Sequence, residues 1–334
     1  MKEIRYASNV NDISALYHRN LRRVALTETI NNYQNWTFTE APIVQLTLKN
    51  GVRVPQLFTD GKSLKYVAVA KTSKFTYTSM NMNASLYLEY VYVPTENVKS
   101  WFLGRKVKKY TIPSSATSIV DYAFQNCSSL QSITIPDGVT SIGINAFSGC
   151  YSLQSITIPD GVTSIGSYAF SGCYSLQSIT IPSNVTSIGS NAFQSCSSLQ
   201  SINIPSGVTS IGINAFQNCS SLQSITIPSN VTSIGSYAFS GCYSLYKAKI
   251  NSSVEIKNSS YRFGGSYLTV FYDFSECSAV PVLSASNGIQ EKDYVSAIIV
   301  PDALYDEWIA ATNWVAYASK IKKVSEVETS EVAG

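Results

Sequence analysis

Charge is what this chain has least of. Only 13% of its 334 residues are Asp, Glu, Lys or Arg, against roughly 25% in ordinary globular proteins. Between Thr111 and Tyr246 there is no basic residue, and the acidic ones are Asp121, Asp137 and Asp160. A surface without Lys and Arg cannot neutralise phosphates, so nucleic acid is excluded as a partner of this stretch. Histidine is scarce too. His18 stands alone, which rules out a Ser-His-Asp arrangement in the central region and reads as a surface residue beside arginines. There is no C-x-x-C pair to seed a zinc site and no glycine motif to cradle a phosphate, so no metal and no cofactor is expected. No run is long and apolar enough to insert in a membrane, and Met1-Lys2-Glu3-Ile4-Arg5-Tyr6 lacks the hydrophobic segment of a secretory signal.

What the chain has instead is repetition. Cys127, Cys150, Cys173, Cys196, Cys219 and Cys242 fall 23 residues apart, and a fixed period in that range marks one small unit stacked many times. The unit runs Cys127-x-x-Leu130-x-x-Ile133-x-Ile135-Pro136-x-x-Val139-x-x-Ile142-Gly143-x-x-Ala146-Phe147 and recurs through Phe239. Ile133 and Ile135 alternate with Ser132 and Thr134, the period-two pattern of a strand with one buried face, and Pro136 ends that strand. Asp137-Gly138 turns the chain. Val139 and Ile142 point inward, Gly143 is expected to allow a tight bend, and Ala146-Phe147 begin a short helical or irregular return. Eight apolar side chains per coil share one core, too few for a lone coil to fold without neighbours.

These residues resemble the BspA-type class of bacterial leucine-rich repeat, most closely over residues 107–250. The resemblance implies a mainly β repeat solenoid, right-handed, with a parallel sheet on one face and short helical or irregular returns. It implies a secreted or surface protein that adheres to host proteins, other cells or glycans, with no shared enzymatic activity.

Degenerate coils extend outward. An L-x-x-V-x-V skeleton begins at Leu64, Leu88 and Val107, at spacings of 24, 19 and then 23 residues. Leu21-x-x-Val24-x-Leu26 fits it too. Leu46 to Val54, with Asn50-Gly51 between alternating apolar runs, reads better as a hairpin. Leu268-x-x-Phe271 keeps the period, and Val295-x-x-Ile298-x-Val300-Pro301 is expected to end the solenoid. Asp302 is placed to cap a helix carrying Leu304, Tyr305, Trp308 and Ile309, which would cover the last sheet edge. An echo between Val91-Tyr92-Val93-Pro94…Trp101 and Ile298-Ile299-Val300-Pro301…Trp308 places a boundary before the first copy. The division is an N-terminal module over 1–85 with degenerate coils or a hairpin, a solenoid over 86–300 and a helical C-terminal cap and tail over 301–334.

Three sets of residues are candidates for chemistry. The strand face carries Gln131 and Thr134, Gln154 and Thr157, Gln177 and Thr180, with Ser132, Ser155 and Ser178 between them, a ladder continued by Gln200, Ser201, Asn203 and Gln223, Ser224, Thr226. A second, variable stripe holds Tyr151, Tyr174 and Tyr243 after their cysteines and Tyr168 and Tyr237 before their Ala-Phe pairs; tyrosine offers a flat apolar face with a polar tip, suited to sugars or protein surfaces. The carboxylates Asp273, Glu276, Asp293, Asp302, Asp306 and Glu307 could supply a glycosidase pair, but caps and solvated charges account for them more simply. Basic residues gather at Arg19, Arg22, Arg23 and at Arg105, Lys106, Lys108, Lys109, as solvated module edges. The cysteine file sits at a spacing that permits disulfides, yet the period alone explains it as a row of small buried hydrophobes, with Cys277 off the row.

The expected function is non-enzymatic recognition or adhesion, with no catalytic residue, through an uncharged Ser/Thr/Gln/Tyr surface that binds a host or bacterial surface glycan or protein. The alternatives are a tail or fibre component of a bacteriophage particle, which would explain the missing export signal, and a passive solenoid spacer. The expected location is extracellular, cell-surface or virion-associated. The sequence assigns no oligomeric state.

Overall fold

The structure, a computed structural model, describes strand backbone at 2–6, 21–26, 45–48, 66–69 and 90–92, and then residues 108–112, 114, 116–251, 270–283, 289 and 292–327. Parallel strands build it. The first six are β1 (Lys2–Tyr6), β2 (Leu21–Leu26), β3 (Gln45–Leu48), β4 (Tyr66–Val69), β5 (Tyr90–Tyr92) and β6 (Lys109–Thr111). From there each coil supplies one longer and one two-residue strand: β7 (Ser132–Thr134) and β8 (Ser141–Ile142), β9 (Ser155–Thr157) and β10 (Ser164–Ile165), β11 (Ser178–Thr180) and β12 (Ser187–Ile188). The next pairs are β13 (Ser201–Asn203) and β14 (Ser210–Ile211), then β15 (Ser224–Ile227) and β16 (Ser233–Ile234). After them come β17 (Lys247–Ile250), β18 (Val270–Asp273), β19 (Val295–Val300) and β20 (Ile321–Lys323).

The longer strands form a ten-stranded sheet, β1-β2-β3-β4-β5-β6-β7-β9-β11-β13, and a five-stranded sheet, β15-β17-β18-β19-β20. The Gln223 N–H donates to the Gln200 carbonyl at 3.1 Å and carries the coil register from one to the other. The two-residue strands make a second five-stranded sheet, β16-β14-β12-β10-β8. Sequence reading turned Val139 and Ile142 inward there but assigned no strand; a two-residue strand is too short to show a period. Pairing is in strict repeat register, Ser178 to Ser201 and Ile179 to Ile202, so every apolar position lands on its own copy.

The core is therefore a set of columns. Phe124, Phe147, Phe170, Phe193, Phe216 and Phe239 are fully buried and stacked, with centroids 5.0 to 5.4 Å apart and planes within 2 to 5° of parallel. Leu130, Val139, Ala146 and their copies fill the space beside them. The glycine at the end of each short strand serves close approach and not a bend. At Gly166 an added Cβ would lie 2.6 Å from the Gly143 carbonyl carbon, and at Gly189 it would lie 2.6 Å from the Ser167 nitrogen. The coils touch through backbone there, so no side chain fits.

The flanks revise several expectations. Leu46 to Leu48 is not a hairpin arm: β3 lies between β2 and β4 and pairs parallel to both, so neither side is free for an antiparallel partner. Residues 49–54 fall outside the described set. The skeletons starting at Leu21, Leu64, Leu88 and Val107 coincide with β2, β4, β5 and β6. The parallel sheet does not end at Val300, because β20 adds one more strand beside β19. The helix between them, α1 (Tyr305–Ala310), is six residues long and has no side-chain cap. Asp302 instead accepts the Ser325 N–H at 3.0 Å, which ties the last turn to the end of the sheet and holds its carboxyl below the usual range. The end is sealed by aromatics: Trp308 and Trp314 are fully buried with centroids 4.5 Å apart, and the Trp314 indole donates to the Pro281 carbonyl at 2.7 Å. The second half of the Val91…Trp101 echo lies outside the described residues.

Candidate functional site

The cysteine file is internal. All seven cysteines are buried thiols. Cys150, Cys173, Cys196, Cys219 and Cys242 donate to the phenylalanine carbonyl 26 residues earlier, at 3.1 to 3.3 Å, so each coil hydrogen-bonds the one before through its sulfur. Burial raises these thiols well above the ordinary range, Cys242 to about 12, and Cys277 is pushed up to about 12 by burial and then by Asp273 and Glu276. A thiol held protonated is neither a nucleophile nor a metal ligand. Among the described residues no group of three or more His, Cys, Asp or Glu side chains could hold a metal.

Three of the candidate carboxylates have separate structural tasks, and Asp293, Asp306 and Glu307 are exposed. Asp273 is buried and accepts the Ser275 N–H at 3.0 Å, Glu276 pairs with Lys249 at 2.6 Å, and Asp302 holds Ser325.

Polar side chains fall into two groups that sequence alone does not separate. On the short-sheet edge they are spent on the protein. Thr140, Thr163, Thr209 and Thr232 donate to the threonine carbonyl of the preceding coil at 3.2 to 3.4 Å. Asn184 and Asn230 reach back in the same way at 2.8 Å, and Gln194 donates to Gln217 at 2.7 Å. On the long-strand face they are not. Gln131, Thr134, Gln154, Thr157, Gln177 and Thr180 are all exposed. Beside them, Ser178, Ser201 and Ser224 on one row and Thr180, Asn203 and Thr226 on the other border a trough of about 330 Å³, with Ile179, Ile202 and Ile225 between the rows.

The tyrosines occupy two surface columns. Tyr151, Tyr174 and Tyr243 are exposed just before the long strands, and the first two stack at 5.1 Å with planes 13° apart. Tyr168 and Tyr237 lie in the turns after the short strands and adopt left-handed backbone, with φ of 58° and 59°. Asn145, Asn191 and Asn214 hold the equivalent place, with φ of 54 to 58°. Sequence reasoning missed Tyr122, φ 62° and exposed in the same column. The recurring Tyr-Ala-Phe at Tyr122, Tyr168 and Tyr237 is the signal that finds it. It also missed Ile144 and Ile213, each more than 40% exposed one residue before that column.

Asparagine visits left-handed backbone readily because its side chain can bond locally, whereas a bulky aromatic does so at a cost of about 1 kcal/mol. Tyr168→Asn is therefore expected to raise stability by about 1 kcal/mol, read as a higher urea midpoint with unchanged slope.

A stack of parallel coils with one continuous sheet face and an internal leucine, phenylalanine and cysteine ladder defines a leucine-rich repeat solenoid. The chain belongs to the BspA-type leucine-rich repeat family: six copies of the BspA type leucine rich repeat region match it, over residues 1–101, 96–219 and 140–269. Among solved structures it is similar to the leucine-rich repeat protein TpLRR of T. pallidum, with 32% identity over 42% of this chain and 79% of that one and a TM-score of 0.39. A leucine-rich repeat protein from Bacteroides ovatus is 18% identical over 91% of this chain and 92% of its own, with a TM-score of 0.45. A leucine rich cell surface protein from Faecalibacterium prausnitzii is 21% identical over 94% of this chain and 90% of its own, with a TM-score of 0.36. No curated protein matches the chain.

Proposed function

We propose that this solenoid is a recognition or adhesion protein of the cell exterior, binding a surface glycan or protein without catalysis. The observation that carries the reading is the set of exposed tyrosines in left-handed turns. Asparagine serves the same place in neighbouring coils at lower cost, so the fold does not need tyrosine there. Strain kept at an exposed aromatic points to a use outside the fold. The stacked pair Tyr151 and Tyr174 adds a flat apolar surface with polar tips, the kind of surface that grips sugars and protein faces. Membership in a repeat family of bacterial surface proteins supports the same reading.

The test uses a substitution that the chain itself supplies. Asn145, Asn191 and Asn214 stand where other coils have Tyr122, Tyr168 and Tyr237, all in left-handed backbone, so replacing those three tyrosines by asparagine leaves the fold intact. Binding to a glycan array and to bacterial and epithelial cells is expected to fall at least tenfold, with the thermal melt at or above that of the parent chain. Full retention of attachment would leave the solenoid as a passive spacer.

A further inference from the structure

The long-strand face carries an inference about the ligand, one that deepens the recognition reading and rests on it. Its polar side chains form a lattice. One row runs Ser132, Ser155, Ser178, Ser201, Ser224; the other runs Thr134, Thr157, Thr180, Asn203, Thr226. Ladder pairing places Ser155, Ser178 and Ser201 side by side, and Thr157, Thr180 and Asn203 likewise. Neighbours within a row are thus one strand spacing apart, about 4.8 Å. Over the last three strands, from Ser178 and Thr180 to Ser224 and Thr226, the two rows flank the trough of about 330 Å³, which runs across the strands along the solenoid axis.

Three observations make this lattice more than a solvated sheet. First, among the described residues none of these Ser, Thr and Asn side chains is bonded to the protein. On the short-sheet edge, by contrast, Thr140, Thr163, Thr209, Thr232, Asn184 and Asn230 reach back to the preceding coil. Every hydroxyl of the long-strand face is left to donate and accept outward. Second, the lattice is neutral along its whole length. Third, it has ends. In the Ser row the next position upstream is Lys109, paired with Ser132, and the next downstream is Lys247, paired with Ser224; in the Thr row Lys249 follows Thr226. The neutral segment is five strands wide, β7, β9, β11 and β13 at the end of the ten-stranded sheet and then β15 at the edge of the next, held in register by the Gln223 N–H on the Gln200 carbonyl.

We propose that the neutral lattice, with the trough over its last three strands, binds a linear, neutral polysaccharide laid along the solenoid axis, spanning about five sugar units. An extended pyranose chain advances by roughly one strand spacing per sugar, so each unit meets one Ser and one Thr or Asn in turn. Sugar hydroxyls both donate and accept, as do the side chains facing them, and a single polymer gains by repeating one modest contact. An anionic polymer would find no cation inside the segment. A folded protein surface would find no repeat to match.

The test is affinity electrophoresis of the whole chain through gels containing soluble mixed-linkage β-glucan or galactomannan, with alginate and DNA as anionic comparisons. Retardation by at least one neutral polymer and by neither anionic one is expected. The matching oligosaccharides should tighten with length and level off near five units. Ser178→Lys with Ser224→Lys places charge inside the trough, in a row where Lys109 and Lys247 already stand, so the fold is preserved. This variant should lose at least tenfold in affinity while its melting curve stays that of the parent chain. No retardation by either neutral polymer, or equal binding by the variant, would overturn the proposal. If the lysine variant still attaches to cells and the triple tyrosine variant does not, the polysaccharide assignment fails and the recognition reading stands. If both variants still attach, the recognition reading fails as well.

Discussion

Phe193→Ala is expected to lower the stability of the solenoid by about 3–5 kcal/mol. Phe193 is fully buried, 5.4 Å from Phe170 on one side and 5.3 Å from Phe216 on the other. Truncation opens a cavity between two rings that cannot close on it. Each is held in its own coil by backbone bonds to the next, Phe170 to Ala192 and Phe216 to Ala238, at 2.7 and 2.8 Å. Because each coil is stabilised mainly by its two neighbours, the loss is not confined to one repeat. It splits the array into two shorter stacks that unfold at different urea concentrations. The measurement is a urea titration followed by far-UV circular dichroism. The variant should show a second transition below the parent midpoint, and Phe193→Leu should show less than half the effect. A single unshifted transition would mean that the aromatic column only fills space already stabilised by the strands.

The legibility of this architecture was uneven, for physical reasons. The long strands were readable because Ile133 and Ile135 alternate with Ser132 and Thr134, and only one face of that pattern can be buried. The short strands were not. Ser141-Ile142 is one polar and one apolar residue, and its pairing comes from stacking in register, not from any period. Gly143 was read as the site of a tight bend when its role is contact, since nothing in one coil reveals how near the neighbouring coil's backbone will lie. The Leu46 segment misled for a related reason. Asn50-Gly51 is a hairpin signal in isolation, but β2 and β4 already occupy both edges of β3. At the candidate site, the residue types of both stripes were visible in the sequence. Which polar groups are spent on the protein was not, because Thr140 and Thr134 look alike until the coil before them is in place.

High pH should dismantle this protein in a way that follows from its thiols. Burial raises Cys173, Cys196 and Cys219 well above the unfolded value of 9.0, and Cys242 to about 12. Cys150 is raised as well, by burial first. A group whose folded pKa is raised contributes stability that is fully present below its unfolded pKa and is lost as pH rises towards its folded pKa. Above pH 9 the unfolded chain releases these protons and the folded chain does not. Each thiol then removes about 1.4 kcal/mol per pH unit, and Cys277 adds a sixth such group, with its value also at about 12. Together they take away on the order of 8 kcal/mol per unit if the array opens as a whole, comparable to the entire stability of a domain. Stability should therefore be level from pH 6 to about 8.5 and collapse between about pH 9 and 11. Thiol titration should follow the same course, with the file silent towards an aromatic disulfide reagent at pH 8 and fully reactive once unfolded. Replacing Cys173 and Cys196 by alanine keeps a small buried side chain and removes two of the ionisations. The alkaline slope should then be about one third shallower, though two hydrogen bonds to Phe147 and Phe170 are lost and the neutral-pH stability falls. A parent chain that held its stability to pH 11 would show that the coils open locally to release these protons, and that the row is not sealed.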